Sequence, residues 1–79
     1  MLQDRIKTNR KIYYAISFKN EEKYREGTLN YVTISHKEMA ECFFITLCYN
    51  GIKEEIAKKY NKTPNDVEDF QIDRIEILK

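Results

Sequence analysis

One histidine and two cysteines are the residues of this chain best suited to nucleophilic or metal chemistry. His36, Cys42 and Cys48 all fall within residues 35–51. If this segment is helical, each six-residue step turns the side chain by about 120° around the axis, so the three do not share a face. A Cys–His nucleophilic pair and a metal site both require side chains that converge. We therefore expect no catalytic residue and no metal ligand among them.

The acidic residues also give no catalytic signature. They fall in mixed-charge runs such as Lys-Asn-Glu-Glu-Lys at 19–23, which are typical of solvated surfaces with ion pairs between neighbouring turns. The chain has only two glycines, too few for a loop that cradles phosphate. These patterns predict a protein that is not an enzyme and that uses no cofactor.

Aromatic and basic side chains in the first half of the chain are better candidates for binding than for catalysis. Tyr13, Leu29 and Tyr31 supply aromatic and apolar surface, and Arg10 and Lys11 precede Tyr13 in the sequence. Aromatic residues and arginine are the usual anchors of protein interfaces. We predict that these five residues form a partner-binding surface.

Composition narrows the classes of function. The chain has 79 residues and a formal net charge of +1, so we expect one small domain without overall attraction to nucleic acid or membranes. No apolar run approaches the roughly 20 residues that span a bilayer. The first ten residues lack the apolar core of a signal peptide. Two cysteines without such a signal indicate reduced thiols, and we expect a cytoplasmic protein.

Charge is unevenly distributed along the chain. Residues 1–25 are net basic, and residues 63–79 are net acidic. Residues 1–10 are polar and basic without a clear period, which predicts a loosely ordered N-terminal arm. Residues 11–79 would then form the domain. If folding keeps the two ends apart, the arm suits an acidic partner and the acidic end suits a basic one.

Three segments have the alternating pattern of half-buried strands. Residues 28–35 follow residues 11–19 after a charged loop, so the two strands are expected to form an antiparallel hairpin. Residues 69–79 form the last strand. The first strand places four apolar side chains on one side, namely Ile12, Tyr14, Ile16 and Phe18.

The last strand changes parity in its middle. Phe70 and Ile72 lie on one side, whereas Ile75 and Ile77 lie on the other. Either a β-bulge near Asp73 returns all four side chains to one face, or the end of the strand is apolar on both sides.

Residues 35–51 are apolar nearly all the way round and begin like a helix. Ser35 and Glu38 have the spacing of a capping box. At about 100° per residue, the apolar side chains form two stripes, which implies that both faces of the helix are covered. The stripes are Met39, Ala40, Phe43, Phe44, Leu47 and Cys48 on one side, and Cys42, Ile45 and Tyr49 on the other, continued by Ile52, Ile56 and Tyr60.

The dipeptide Asn50-Gly51 separates two helical arrangements. Glycine inside a helix costs about 1 kcal/mol relative to alanine, whereas glycine or asparagine just past a helix end is favoured. In the preferred arrangement the helix stops there and a second helix follows over residues 52–61. In the other, one helix runs over residues 36–61 and its second face meets another chain. A third interpretation is a buried strand over residues 42–49, whose residue types suit one.

This order of elements indicates an α+β fold. The prediction is a three-stranded antiparallel sheet with one long or two short helices packed on one face, ββα(α)β. The opposite face of the sheet would then carry Tyr13, Leu29 and Tyr31, an apolar strip typical of an interface.

The function that these patterns favour is a small non-catalytic protein-binding module, whose partner is another protein or a second copy of the chain. Small size without catalytic groups would suit a phage or mobile-element inhibitor of a host defence or regulatory protein, by analogy only. Two nucleic-acid alternatives stay open. Tyr13 and Tyr31 on an open sheet could stack the bases of a single strand. Residues 52–70 also have a helix-turn-helix-like pattern, although their carboxylates oppose a phosphate backbone.

Overall fold

Alternating apolar and polar residues produce three long strands, which enclose the core together with one helix. The computed structural model describes residues 5–79, in which the strands form one antiparallel sheet of order β2-β1-β3. The predicted α+β class is confirmed, with the element order ββαβ. The elements are β1 (Ile6–Phe18), β2 (Tyr24–Ser35), α1 (Glu41–Lys59), a short 3-10 helix (Pro64–Asp66) and β3 (Val67–Leu78).

The central strand β1 provides most of the core, because its even-numbered residues face α1. Alternate side chains of a strand point to opposite faces, so one run of apolar residues builds one buried surface. The buried residues of β1 on this side are Arg10, Ile12, Tyr14, Ile16 and Phe18. They pack against buried residues of α1 and β3, namely Phe44, Ile52, Ile56, Ala57 and Phe70.

Strand β3 contains a β-bulge, the first of the two alternatives that its change of parity allows. Tyr13 pairs with Arg74 and Tyr14 pairs with Ile72, so Asp73 is an extra residue without a partner on β1. Two apolar residues on each side of the bulge are then paired with even-numbered residues of β1, and directly paired residues share a face. The residues that reach the helix side in this way are Phe70, Ile72, Ile75 and Ile77.

The prediction that Leu29 and Tyr31 lie on the face away from the helix is wrong. The register pairs Leu29 with Ile12 and Tyr31 with Arg10, which places both on the helix side. Both are partly buried against the core. Strand β2 has apolar residues at both parities, so alternation within β2 alone does not identify its buried side.

Helix α1 is continuous, so the preferred prediction of a break at Asn50-Gly51 is wrong, as is the strand interpretation of residues 42–49. Gly51 lies in the helix interior. A β-carbon at this position would be 2.9 Å from the hydroxyl oxygen of Tyr31. The glycine therefore provides room for close approach of a side chain from β2 rather than a stop.

Both ends of α1 differ from the predicted signals. The capping box that starts at Ser35 is wrong, because Ser35 ends β2 and its hydroxyl donates to the carbonyl of Lys37 at 2.6 Å. The helix begins at Glu41, after Ala40, which provides no side-chain cap. Asn61 follows the C terminus with a φ of 60°, the left-handed conformation that closes many helices.

The two apolar stripes of α1 are covered to different extents. Ile45 and Tyr49 pack against the core, and the Tyr49 hydroxyl donates to the carbonyl of Phe70 at 3.1 Å. Phe43 and Leu47, at the outer margin of the other stripe, are 57% and 63% exposed. The chain therefore covers most of one stripe, with Cys42 exposed at its start, and leaves part of the second in solvent. Within residues 5–79, no helix has both the length and the apolar content needed to cross a membrane.

The first strand begins earlier than predicted. A loosely ordered arm over residues 1–10 is wrong for residues 6–10, which belong to β1 and pair with β2. Residues 1–4 of that prediction lie outside the described part of the chain. The longer strand extends the sheet at the end where α1 begins.

The helix is shorter than the sheet that it covers. Nineteen helical residues span about 28 Å, whereas the thirteen residues of β1 span about 43 Å. The longest dimension of the molecule is 52 Å. We use the term uncovered end for the end of the sheet nearest the start of α1, because the sheet extends beyond the helix there. It consists of residues 6–10 of β1, 31–35 of β2 and 75–78 of β3.

Candidate functional site

The uncovered end and the first two turns of α1 hold most of the exposed apolar side chains. Six large hydrophobic residues are exposed among the described residues, and five of them belong to these segments. The sixth, Tyr24, lies at the far end of β2. The five are Val32 (46% exposed), Ile34 (61%), Phe43 (57%), Leu47 (63%) and Ile77 (59%).

Phe43 and Leu47 lie on the flank of α1 that is closer to β2. Leu47 is one turn before Gly51, the residue approached by Tyr31 of β2. Residues four apart in a helix differ by about 40° around the axis, so Phe43, Leu47 and Gly51 form one row that turns gradually outward. Tyr49 contacts β3 on the other flank.

The sheet face away from α1 contains an unsatisfied polar atom at this end of the sheet. Asn9 pairs with Val32 on one side and with Leu78 on the other. Its side-chain oxygen is buried and has no hydrogen-bond partner among residues 5–79. Buried acceptors in native proteins usually have a partner, which is either another protein group or an ordered water molecule.

Arg10 is the charged residue of the uncovered end that is most deeply buried. It is 3% exposed and lies on the helix side of β1. The carbon of its guanidinium group is 4.2 Å from the ring centroid of Phe44. Its Nη1 donates to the Thr33 hydroxyl oxygen at 2.7 Å. The guanidinium therefore links β1, β2 and the first turn of α1.

A surface cavity of about 160 Å³ opens beside Arg10, between the end of the sheet and the segment that leads into α1. The sheet supplies one polar, one charged and one apolar side chain, and the segment before the helix supplies one acidic and one apolar side chain. The lining residues are Thr8, Arg10, Glu38, Met39 and Ile77.

The structure does not bring the five predicted partner-binding residues onto one surface. Tyr13 and Lys11 lie on the sheet face away from α1, whereas Arg10, Leu29 and Tyr31 lie on the helix side. A shared role in binding stays a prediction, but it would require contact with both faces of the sheet.

Tyr13 itself lies among charged side chains rather than in an apolar strip. The guanidinium carbon of Arg74 is 4.1 Å from its ring centroid, and the Lys11 ammonium is 5.4 Å away. Its hydroxyl donates to Glu76 at 3.3 Å. Contacts of this kind between a cation and an aromatic ring already occupy much of the ring surface.

Neither nucleic-acid alternative finds its surface in the described residues. Tyr13 and Tyr31 lie on opposite faces of the sheet, so they cannot stack neighbouring bases together. A helix-turn-helix requires a second helix to enter the groove. The chain after α1 instead forms a short 3-10 helix and the strand β3, so residues 52–70 do not form a helix-turn-helix.

The two cysteines of α1 lie in different environments. Burial raises the pKa of the Cys48 thiol above its ordinary value of 9.0, so the thiol stays protonated at neutral pH. Cys42 is exposed and both cysteines are free thiols. Across residues 5–79, no group of three or more His, Cys, Asp or Glu side chains has an arrangement that could hold a metal ion.

Sequence reasoning missed Phe43, Leu47 and Ile77 as surface residues. The apolar pattern of residues 35–51 has no polar side, so it predicts that Phe43 and Leu47 lie in a covered stripe. The second half of α1 contains the missing signal. Ile52 and Ile56 fix the buried face there, and extending it backwards at 100° per residue leaves Phe43 and Leu47 outside it.

No protein-family model, curated protein or solved structure matches the chain. The geometry of the uncovered end is therefore the basis for assigning a function.

Proposed function

We propose that this chain is a small, non-catalytic protein-binding module that contacts its partner through the uncovered end and the adjoining flank of α1. The observation that supports this proposal is the concentration of five of the six exposed large hydrophobic side chains in these segments. Val32 and Ile34 pair with odd-numbered residues of β1, so they lie on the sheet face away from α1, whereas Phe43, Leu47 and Ile77 lie on the helix side. Exposed apolar side chains concentrated at one end of a small protein are typical of an interaction site, and the proposed contact therefore includes both faces of the sheet at this end.

The edge strand β2 supports the same surface. Strand β2 lies at one edge of the sheet, so one side of its backbone has no neighbouring strand among residues 5–79. Val32 and Ile34 of this strand are exposed at the uncovered end. A free edge with apolar side chains is suited to pairing with another chain. The partner is a different protein or a second copy of this one.

Two narrower statements belong to this proposal. A cytoplasmic location fits the two free thiols of Cys42 and Cys48. An inhibitor from a phage or mobile element, directed at a host defence or regulatory protein, fits the small size and the non-catalytic character proposed here, by analogy alone.

The test replaces Phe43 and Leu47 together by serine. We expect the double variant to lose self-association in size-exclusion chromatography with light scattering if the partner is a second copy. If the partner is another protein, the amount of that protein captured by the variant in quantitative affinity capture from cells of the source should be at least tenfold lower than with the original chain. Both side chains are exposed, so the Tm should change little.

The matched control replaces Glu54 and Lys58, which are exposed on the same helix, by serine. This variant should behave like the original chain in both assays. If the wild-type chain is strictly monomeric and captures no protein above the level of F43S/L47S, the proposed function is wrong. Equal losses in both double variants would also contradict it, because they would show that the apolar row is not the contact.

A further inference from the structure

We propose that the cavity beside Arg10 binds a carboxylate of the protein partner. This proposal rests on the proposed function and names the chemistry of one contact with that partner. The first observation is the state of Arg10. Its guanidinium is buried, and one of its five N–H groups donates to Thr33. Within residues 5–79, the carboxylates that form ion pairs lie elsewhere, and none is within 4 Å of this guanidinium.

A buried guanidinium without a counter-charge is energetically unfavourable. Arginine stays ionised in proteins, so burial cannot be relieved by loss of a proton. Stacking on the Phe44 ring at 4.2 Å offsets part of the cost of desolvation. Four N–H groups of the guanidinium remain after the hydrogen bond to Thr33. A carboxylate has two oxygens at a fixed separation, which matches two parallel N–H groups of this kind.

The cavity gives an anion access to this group. Arg10 lines it together with the Thr8 side chain, which offers a hydroxyl donor. Its volume of about 160 Å³ exceeds the roughly 10–15 Å³ that one water molecule requires. A carboxylate with its attached carbon atoms therefore has space to enter.

The start of α1 follows the cavity lining closely along the chain. Ala40 precedes the helix without a side-chain cap, and the first backbone bond of the helix runs from the N–H of Phe44 to the carbonyl of Ala40. The N–H groups of residues 41–43 are therefore without partners inside the helix, and they lie at the positive end of its dipole. The cavity lining includes Met39, two residues before the helix begins at Glu41.

The remaining lining residues favour a carboxylate over a phosphate. Glu38 places a negative charge at the cavity, which opposes a dianion more than a monoanion. Met39 and Ile77 provide apolar surface for the carbon atoms beside the carboxylate. Such a group is presented by the C-terminal residue of a protein or by an Asp or Glu side chain next to apolar residues.

The experiment titrates the intact ¹⁵N-labelled chain at constant ionic strength and follows the Arg10 Nε–Hε signal and the backbone amides of residues 39–44. The probes are N-acetyl-Ala-Leu with a free carboxylate, its C-terminal amide, N-acetyl-aspartate amide and inorganic phosphate. We expect saturable shifts in the millimolar range with either carboxylate probe, and the stronger of the two identifies the source. The neutral amide should cause none, and phosphate should bind at least threefold more weakly.

Matched variants separate the cavity from general electrostatic attraction. Arg10→Gln should weaken carboxylate binding at least tenfold, whereas Lys11→Gln, which removes the same charge from the next residue on the other face, should leave it unchanged. Glu38→Gln should tighten carboxylate binding severalfold and leave the Tm unchanged. This variant keeps the proposal testable if Arg10→Gln does not fold.

The proposal is overturned by any of three results. The first is the absence of saturable shifts at carboxylate concentrations up to 20 mM, and the second is an equal effect of Arg10→Gln and Lys11→Gln on carboxylate binding. The third is a lower Tm for Glu38→Gln, which would show that Glu38 is the counter-ion of Arg10. Loss of partner binding in F43S/L47S together with any of these results would leave the proposed function intact. A carboxylate that binds here while no protein partner is captured would overturn the proposed function alone.

Discussion

Gly27 is a residue whose identity is determined by one neighbouring side chain. A β-carbon at this position would lie 2.7 Å from the hydroxyl oxygen of Tyr14 and 3.0 Å from the ring carbon that bears it. Tyr14 is 1% exposed, and its hydroxyl shares a hydrogen bond with that of Tyr60 at 2.8 Å. The ring therefore cannot move aside without breaking this contact, and buried groups in a packed core have little room to shift.

Gly27→Ala is accordingly expected to destabilise the protein by about 1–3 kcal/mol, the usual cost of overpacking a core. In a Tyr14→Phe background the added methyl group no longer meets the hydroxyl, so the same substitution should cost less. Urea unfolding of the four proteins of this double-mutant cycle measures the difference. Asn30→Ala, at an exposed position of the same strand, should change stability by no more than about 0.5 kcal/mol. An identical cost of Gly27→Ala in both backgrounds would show that the Tyr14 hydroxyl is not responsible.

At the scale of elements, α1 shows how a local stop signal can be outweighed by packing. Asn50-Gly51 and Asn61 are both suited to ending a helix, and only Asn61 does so. The buried side chains of Ile52 and Ile56 continue the packed face past Gly51. A break would remove these side chains from the core, which costs more than the about 1 kcal/mol of an interior glycine.

Substitution of Gly51 tests this balance between helix propensity and close contact. Gly51→Ala gains helix propensity, but its methyl group would meet the Tyr31 hydroxyl oxygen at 2.9 Å, so we expect little net change. In a Tyr31→Phe background that contact is absent, and Gly51→Ala should stabilise the protein by about 1 kcal/mol. Urea midpoints and helical circular dichroism measure both effects. Destabilisation by Gly51→Ala in the Tyr31→Phe background would contradict a continuous, unstrained helix at this position.

How far the sequence predicts the elements depends on whether their apolar residues fall on one side. Strand β1 is one-sided, so its buried face is predicted correctly. The parity change around Asp73 allows either a bulge or a strand end that is apolar on both sides, and the register shows the bulge. Strand β2 is apolar at both parities, and only its register with β1 shows that Leu29 and Tyr31 are the covered pair. Register is a tertiary property, so it does not follow from a single strand.

The candidate site was less predictable than the fold for a related reason. The uncovered end exists because a 19-residue helix lies on a sheet whose central strand has 13 residues, and the helix begins six residues later than its apparent cap at Ser35. Only the placement of α1 shows that Phe43 and Leu47 are exposed and that Arg10 is buried beneath Phe44.

At the scale of the whole molecule, the two ends of the long axis are built differently. Opposite the uncovered end, the β1–β2 loop is tied to the segment after α1 by Glu21, which accepts from Arg25 and Lys62 at 3.0 Å each. The rings of Phe18 and Tyr60 pack edge to face beside these pairs. Ion pairs found within residues 5–79 thus occur at the covered end, and apolar exposure concentrates at the other.

This asymmetry predicts an acid sensitivity that originates at the covered end. Hydrogen bonds from Lys62 and then from Arg25 lower the pKa of Glu21 below its ordinary value of 4.5. A carboxyl group whose pKa is lower in the folded state stabilises the protein above its unfolded pKa, and this contribution is lost as the pH falls through the folded value. Glu21→Gln should therefore lower the urea midpoint at pH 7 and make little difference near pH 3. Glu22→Gln, at the exposed neighbouring position, is the matched control and should have little effect at pH 7. A deficit of Glu21→Gln that persists unchanged at pH 3 would assign its effect to packing instead of charge.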